Sequence, residues 1–525
     1  MLKRVLSVFL ISTILLCGCG RVSSEASAVS EAVDDNYRNY YEIFVRSFYD
    51  SDGDGIGDLR GVTEKLDYIA DLGCNGIWLM PICPSDTYHK YDVLDYCDID
   101  DEYGSPEDFD ELVAECHARD IRLIIDLVIN HTSSGHPWFI EATDYLKSLG
   151  DDETMDVSVC PYVDYYHFTK EDKGAGWEKV AGTDYYYECN FWSEMPDLNL
   201  ANPAVKDEIK HIADYWIDRG VDGFRMDAAL HFEEGDTDFN ASTLAWLYDY
   251  CKAKNPDFYM VSEVWADKST IASYYESETP SMFNFALADA EGDICKAARG
   301  KESASKLVDR MIECDELYSD TYVSYIDAPF ITNHDMGRAA NALQSDETSV
   351  KMAAAILLSM SGSPFIYYGE EIGAKSKGKL DENKRLHMNW SSKDMTGITE
   401  DPQNADQNIE QVFPSVEEQI IDSESILNFY RTALHLRNQY PEIARGEIQR
   451  YSGISTDSDD QAVVVKTWND STLYIAYNTA DSEAKLTLDG KYEIVGQLNA
   501  AGGKSKVSGG KLKIAPRSVV YMKKK

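Results

Sequence analysis

The sequence predicts an α/β chain: a parallel (β/α)8 TIM barrel, a domain inserted after its third strand, and a C-terminal antiparallel β-sandwich. Three observations carry this. Eight short apolar runs alternate with amphipathic helical patterns from Tyr41 to about residue 440. The third connection is too long for one helix. From about Ala444 the pattern changes to short strands between turn residues.

Taken in order, Met1–Lys3–Arg4 is basic and Val5 to Leu16 is apolar but too short to span a bilayer, so residues 1–18 read as a secretory leader. Leu16-Cys17-Gly18-Cys19 resembles a bacterial lipobox, with Cys19 as the lipidated residue. Cys17 is unusual in the box, and ordinary leader cleavage is the alternative. Residues 19–36, rich in Ser, Ala and Glu, read as a tether. The barrel is expected over 37–443 with no module before it. Its strands are expected at 41–48, 76–82, 121–131, 220–228, 258–265, 282–287, 328–335 and 363–369. Helical patterns at 59–73, 105–120, 202–220 and 425–440 lie between or after them. An Asp- and Tyr-rich inserted domain is expected over 132–202, and the sandwich over 444–525.

The formal net charge of −43 disfavours nucleic acid and anionic membrane as partners. The membrane is expected to be met only through the lipid anchor, at the extracellular face of a bacterial cell; otherwise the chain is secreted. Setting Cys17 and Cys19 aside leaves nine scattered cysteines, an odd number without metal-ligand spacing, which implies neither a disulfide framework nor a zinc site.

Polar residues gather where the barrel strands end, the face on which such barrels carry their chemistry. After the first strand, Asp50, Asp52, Asp54 and Asp58 alternate with glycines. With the Ile56 carbonyl they could hold one Ca2+ in a structural role; an acidic solvated turn is the alternative. In GFRMDAALH (223–231), Arg225 and Asp227 stand two apart on a strand and emerge on one side. The arginine would keep the carboxylate ionised and aimed. Alone, such a pair is more often a structural ion pair. Here SEVW (262–265) ends the fifth strand with Glu263, followed on the same side by Trp265, and FITNHD (330–335) ends the seventh with His334 and Asp335. Two facing carboxylates are the equipment of a glycoside hydrolase. Asp227, beside Arg225, is the expected nucleophile. Glu263, with no cation adjacent in sequence, is the expected proton donor.

The set DLVINH (126–131), MPDLN (195–199), GFRMDAALH, EVW and FITNHD, with the Asp/Gly loop and HKYD (89–92), resembles the α-amylase family, glycoside hydrolase family 13. The likeness runs from about Tyr41 to the C-terminus. It implies Asp227 as nucleophile, Glu263 as acid/base and Asp335 as a third acid on the sugar hydroxyls. Arg225 would orient Asp227, His131 and His334 would hydrogen-bond the sugar, and Tyr91 would stack on it with His89 nearby. MPDLN resembles the intermediate group between oligo-1,6-glucosidases and neopullulanases, and Ala228 favours α-1,4 bonds. A second Ca2+ could be held by Asn130, Asp197 and the His231 carbonyl. The family's usual Lys-His after the nucleophile is Leu230-His231 here, so that leaving-group contact is not implied.

The expectation is therefore a monomeric, surface-anchored, retaining α-amylase acting on internal α-1,4 bonds of starch and maltooligosaccharides. An oligosaccharide α-glucosidase, a neopullulanase and a glucanotransferase remain open on the same residues. So do, in other classes, a non-catalytic starch-binding lipoprotein and a calcium-dependent structural protein. Intact Asp227, Glu263 and Asp335 argue against those last two.

Overall fold

A computed structural model describes residues 33–525 except 151, 407, 408 and 457. The leader, Cys19 and most of the tether lie outside the described residues.

The central sheet is parallel. Its first strand, Tyr40–Ile43, lies between the second, Gly76–Leu79, and the eighth, Phe365–Tyr367. The third (Arg122–Leu127), fourth (Gly223–Met226), fifth (Tyr259–Ser262) and sixth (Ser281–Met282) follow in register. The seventh run is not a ladder strand. It closes the ring through two isolated parallel bridges, Phe283 with Ala328 and Phe330 with Phe365. Pro329 sits between them and has no N–H to give a ladder. The strands are shorter than the apolar runs. The first run, for instance, leaves the sheet after Ile43 and turns through a 3-10 segment, Val45–Ser47, toward the mouth. Both faces of the sheet are buried, which is why its strands read as continuous apolar runs rather than alternating ones.

The helices form for reasons visible in the chain. Ser105 and Asp108 make a capping box, with Pro106 opening Pro106–Ala118. Asn202 caps Pro203–Asp218, which buries Val205, Ile209, Ile212, Ala213 and Trp216 at helical spacing. The pattern at 59–73 is interrupted. It forms Leu59–Glu64 and Leu66–Leu72, parted at Lys65 (φ −100°, ψ 2°), whose ammonium lies 3.7 Å from the Tyr49 ring centre.

Between the third and fourth strands stand the helix Pro137–Ser148 and a small antiparallel sheet of Phe168–Thr169, Tyr186–Glu188 and Trp177–Lys179. A bridge from His131 to Asp197 fastens this segment to the chain leaving the third strand, and one from Tyr166 to Leu198 joins two parts of the segment itself. After the helix Ile426–Gln439 come two antiparallel sheets, one of five strands and one of three. Alternation sorts the five-stranded sheet. Val463, Ala476, Val520 and Met522 meet Leu486, Leu512 and Ile514 of the smaller sheet. Val464, Ile475, Tyr477, Val519 and Tyr521 join the core of the barrel. The nine described cysteines are free thiols, eight of them buried.

Candidate active site

The fourth strand delivers Arg225 and Asp227 together, as two-residue spacing requires: Nη1 of Arg225 lies 2.5 Å from Oδ1 of Asp227. The same nitrogen is 2.8 Å from Asp126 of the third strand, and Nη2 is 3.0 Å from Glu263 at the end of the fifth. One planar guanidinium therefore fixes three carboxylates from three neighbouring strands. Burying a lone charge costs several kcal/mol. This cation is 1% exposed, and three anions outweigh that cost. Glu263 has no cation beside it in sequence, but Arg225 pairs with it across strands, a contact that sequence adjacency does not show. Ala228, in the left-handed region at φ 48°, ends the strand, and its N–H donates to Glu263 at 2.9 Å. A non-glycine residue there costs about 1 kcal/mol, strain that the surrounding site sustains.

Burial raises both Asp227 and Glu263 above the ordinary carboxylate range, and Arg225 opposes it in each. Asp227 has the shorter contact with the guanidinium. The charge of Asp335 raises both Asp227 and Glu263, and that of Asp227 raises Glu263 as well.

Asp335 accepts from His334 Nε2 at 3.0 Å and from Arg385 Nη2 at 2.8 Å. Burial works against its ionisation, but these two cations hold its carboxyl far below the usual range. His334 is wholly buried, with Glu42 2.6 Å from Nδ1 and both Asp335 and Tyr91 at Nε2. Burial disfavours its charge, yet Asp335 and Glu42 push it up to about 9. The structure thus places His334 behind Asp335 and Tyr91, with both ring nitrogens already engaged, rather than on the cleft wall. Arg225 lies beneath the wall in the same way. Tyr91 stacks on the His334 ring and donates to Asp126 at 3.1 Å. His131 and His89 are each lowered to about 4, chiefly by burial, and stay neutral.

His89, Tyr91, His131, Asp227, Glu263 and Asp335 line one cleft of about 330 Å³. Trp265, stacked on Phe285 at 5.0 Å, closes one side, and Arg385 and Asp381 stand on another. Sequence reading missed Glu42, Asp126 and Arg385. The first two carried a signal, each being a lone acid inside an apolar strand. Arg385 lies in an irregular segment after the eighth strand and carried none.

In the acidic loop, carboxylate oxygens of Asp50, Asp52 and Asp58 come within 4.8 Å of one another. Asp54 stands outside this group and accepts the Ile56 N–H at 2.7 Å, closing a turn of its own. The three anions have no ion-pair partner among the described residues and suit a hard cation. Asp58 also caps the helix Leu59–Glu64 by accepting from the Gly61 N–H. Asn130 and Asp197 do meet, at 3.3 Å, and Asp197 also accepts from Asn190.

Comparison with known proteins agrees with this geometry. The family profile described as "Alpha amylase, catalytic domain" matches residues 42–446. The chain is 40% identical to "Alpha-amylase 3" of Dictyoglomus thermophilum over 426 residues, 79% of this chain and 80% of that one. It is 30% identical to "Oligo-1,6-glucosidase" of Heyndrickxia coagulans over 529 residues, covering 84% and 91%. Among solved structures, "Eubacterium rectale Amy13B" superposes with a TM-score of 0.91 at 43% identity, covering 94% of this chain and 96% of that one.

Proposed function

Because this chain belongs to the α-amylase family of glycoside hydrolases, we propose that it is a retaining α-amylase that cleaves internal α-1,4-glucosidic bonds of starch and maltooligosaccharides. The observation that carries the reading is the single guanidinium of Arg225 bonded to both Asp227 and Glu263. Two carboxyls sharing one fork stand close together, which favours direct attack by one of them over a water held between them.

Asp227, ionised against Arg225, attacks the anomeric carbon while Glu263 gives its proton to the departing glycosidic oxygen. The sugar is then held on Asp227 as a covalent ester. Glu263, now a carboxylate, takes a proton from water, and the hydroxide displaces Asp227 with restored configuration. Asp335, kept ionised by His334 and Arg385, accepts hydrogen bonds from the sugar hydroxyls and favours the positively charged transition state.

The relatives named oligo-1,6-glucosidase keep release of single glucose units as the second reading. The products of maltoheptaose and of isomaltotriose separate the two: an endo enzyme gives mixed short maltooligosaccharides from the first, and the second reading gives glucose from the second. Asp227→Asn would abolish either, with a loss of at least about 10³-fold.

Three further parts belong to this proposal. Asp50, Asp52 and Asp58 hold one Ca2+, which would tie the loop after the first strand to the following helix. Cys19 carries a lipid that keeps the enzyme on the outer face of the cell membrane. The enzyme acts as a monomer, which static light scattering at working concentration would check by mass.

A further inference from the structure

Asp335 is held by two cations, and the run of the first strand reaches both. Inside the sheet, Glu42 takes His334 by Nδ1. Further on, where the run has left the sheet, Ser47 takes Arg385. The Ser47 hydroxyl donates to the Arg385 carbonyl at 2.7 Å, and the Ser47 carbonyl accepts from the Met388 N–H at 2.8 Å. Ser47 is fully buried and Arg385 nearly so. A carbonyl that loses its partner there has no solvent to turn to.

Arg385 needs such a hold. The residues that follow it, 386–390, form neither helix nor strand. Their backbone is fixed by bonds to other elements rather than by a repeating ladder. Tyr367 and Arg338 donate to the Lys384 carbonyl at 3.2 and 3.1 Å, and Tyr368 donates to the Leu386 carbonyl at 2.6 Å. The Trp390 indole donates to the Phe48 carbonyl, next to Ser47, at 2.5 Å. Within this set, Ser47 grips the Arg385 carbonyl itself. A long side chain aims well only from a fixed backbone. From this one, the guanidinium donates to Asp335 at 2.8 Å, to the His334 carbonyl at 3.2 Å and to the Tyr88 hydroxyl at 3.1 Å.

We propose that Ser47 is a positioning residue for glycosidic cleavage: by fixing the backbone of Arg385 it keeps that guanidinium on Asp335, the acid that favours the charged transition state. This rests on the catalytic reading above and deepens it. Ser47 does not line the cleft, so it acts through Arg385 and not on the sugar.

The test compares kcat and KM on maltoheptaose for the wild type, Ser47→Ala, Arg385→Met and the double variant, at a temperature where melting curves show all four folded. Arg385→Met keeps a long side chain and removes the guanidinium. Losing one buried hydrogen bond is worth about fivefold, and misplacing a group by about 1 Å up to about 100-fold. Ser47→Ala is therefore expected to lower kcat about tenfold and to leave KM within about twofold, the pattern of a contact that counts in the transition state. In the Arg385→Met background the same change is expected to cost less than about twofold, since the group it positions is gone. A purely structural serine would cost the same factor in both backgrounds. Equal losses in the two backgrounds, an unmoved kcat, or a rise in KM alone overturns the proposal while the three acids stand. A wild type that cleaves no bond overturns the catalytic reading itself, and the role of Ser47 with it.

Discussion

His334 shows how charge is arranged at the scale of single residues. It has Glu42 on one nitrogen and Asp335 on the other, and these push it up to about 9. A group whose pKa is raised on folding from 6.5 to about 9 stabilises the fold fully below 6.5, and that contribution fades as pH rises through 9. His334→Asn keeps a polar side chain but loses the charge. Its melting temperature is expected to lack the decline that the wild type shows between pH 6.5 and 9. The same charge helps hold Asp335 and Asp227 ionised. Without it both carboxyls rise, so the acidic limb of the kcat/KM profile moves to higher pH. Identical limbs and identical melting profiles for the two proteins would contradict the charged histidine. Asp227, Glu263 and Asp335 were legible in the sequence because each ends a strand run, and strand ends in a barrel converge. The reach of Arg225 to Glu263 was not, because a contact between the fourth and fifth strands has no spacing to read.

At the scale of elements, the loop from Asp50 to Asp58 is the clearest case of a sequence pattern only partly realised. Alternating Asp and Gly announced a turn with converging oxygens, and three of the four carboxylates do converge. Asp54 stands outside that group, its carboxylate accepting the Ile56 N–H. Three uncompensated anions repel one another, and a divalent ion would remove that repulsion and stabilise the capped helix beyond it. Chelation with EDTA is expected to lower the melting temperature by several degrees, and Asp52→Ala is expected to abolish that response. Equal melting with and without chelator, together with no metal by elemental analysis, would remove Ca2+ from the account. The barrel strands were legible as apolar runs, but their ends were not. Where the chain leaves the sheet depends on partners such as those that Pro329 interrupts.

At the scale of the whole molecule, the barrel supplies the acids and its two long segments shape the approach to them. The five-stranded sheet of the C-terminal part is apolar on both faces, one turned to its own small sheet and one to the barrel. The switch from helical to strand patterning near Ala444 marked this part in the sequence. Its packing on the barrel was not marked, since alternation gives two faces without saying what covers the second. The proposed anchor belongs to this scale as well. The Cys19→Ser variant is expected to leave the membrane fraction for the medium and to lose incorporation of labelled palmitate. Unchanged fractionation would contradict a lipid on Cys19.

The central claim is hydrolysis of internal α-1,4 bonds through Asp227. The most direct measurement is the time course of products from maltoheptaose, with the wild type and Asp227→Asn side by side. The account predicts mixed maltooligosaccharides shorter than the substrate from the first minutes, and none from the variant. Glucose alone, products longer than the substrate, or near wild-type turnover by the variant would contradict it.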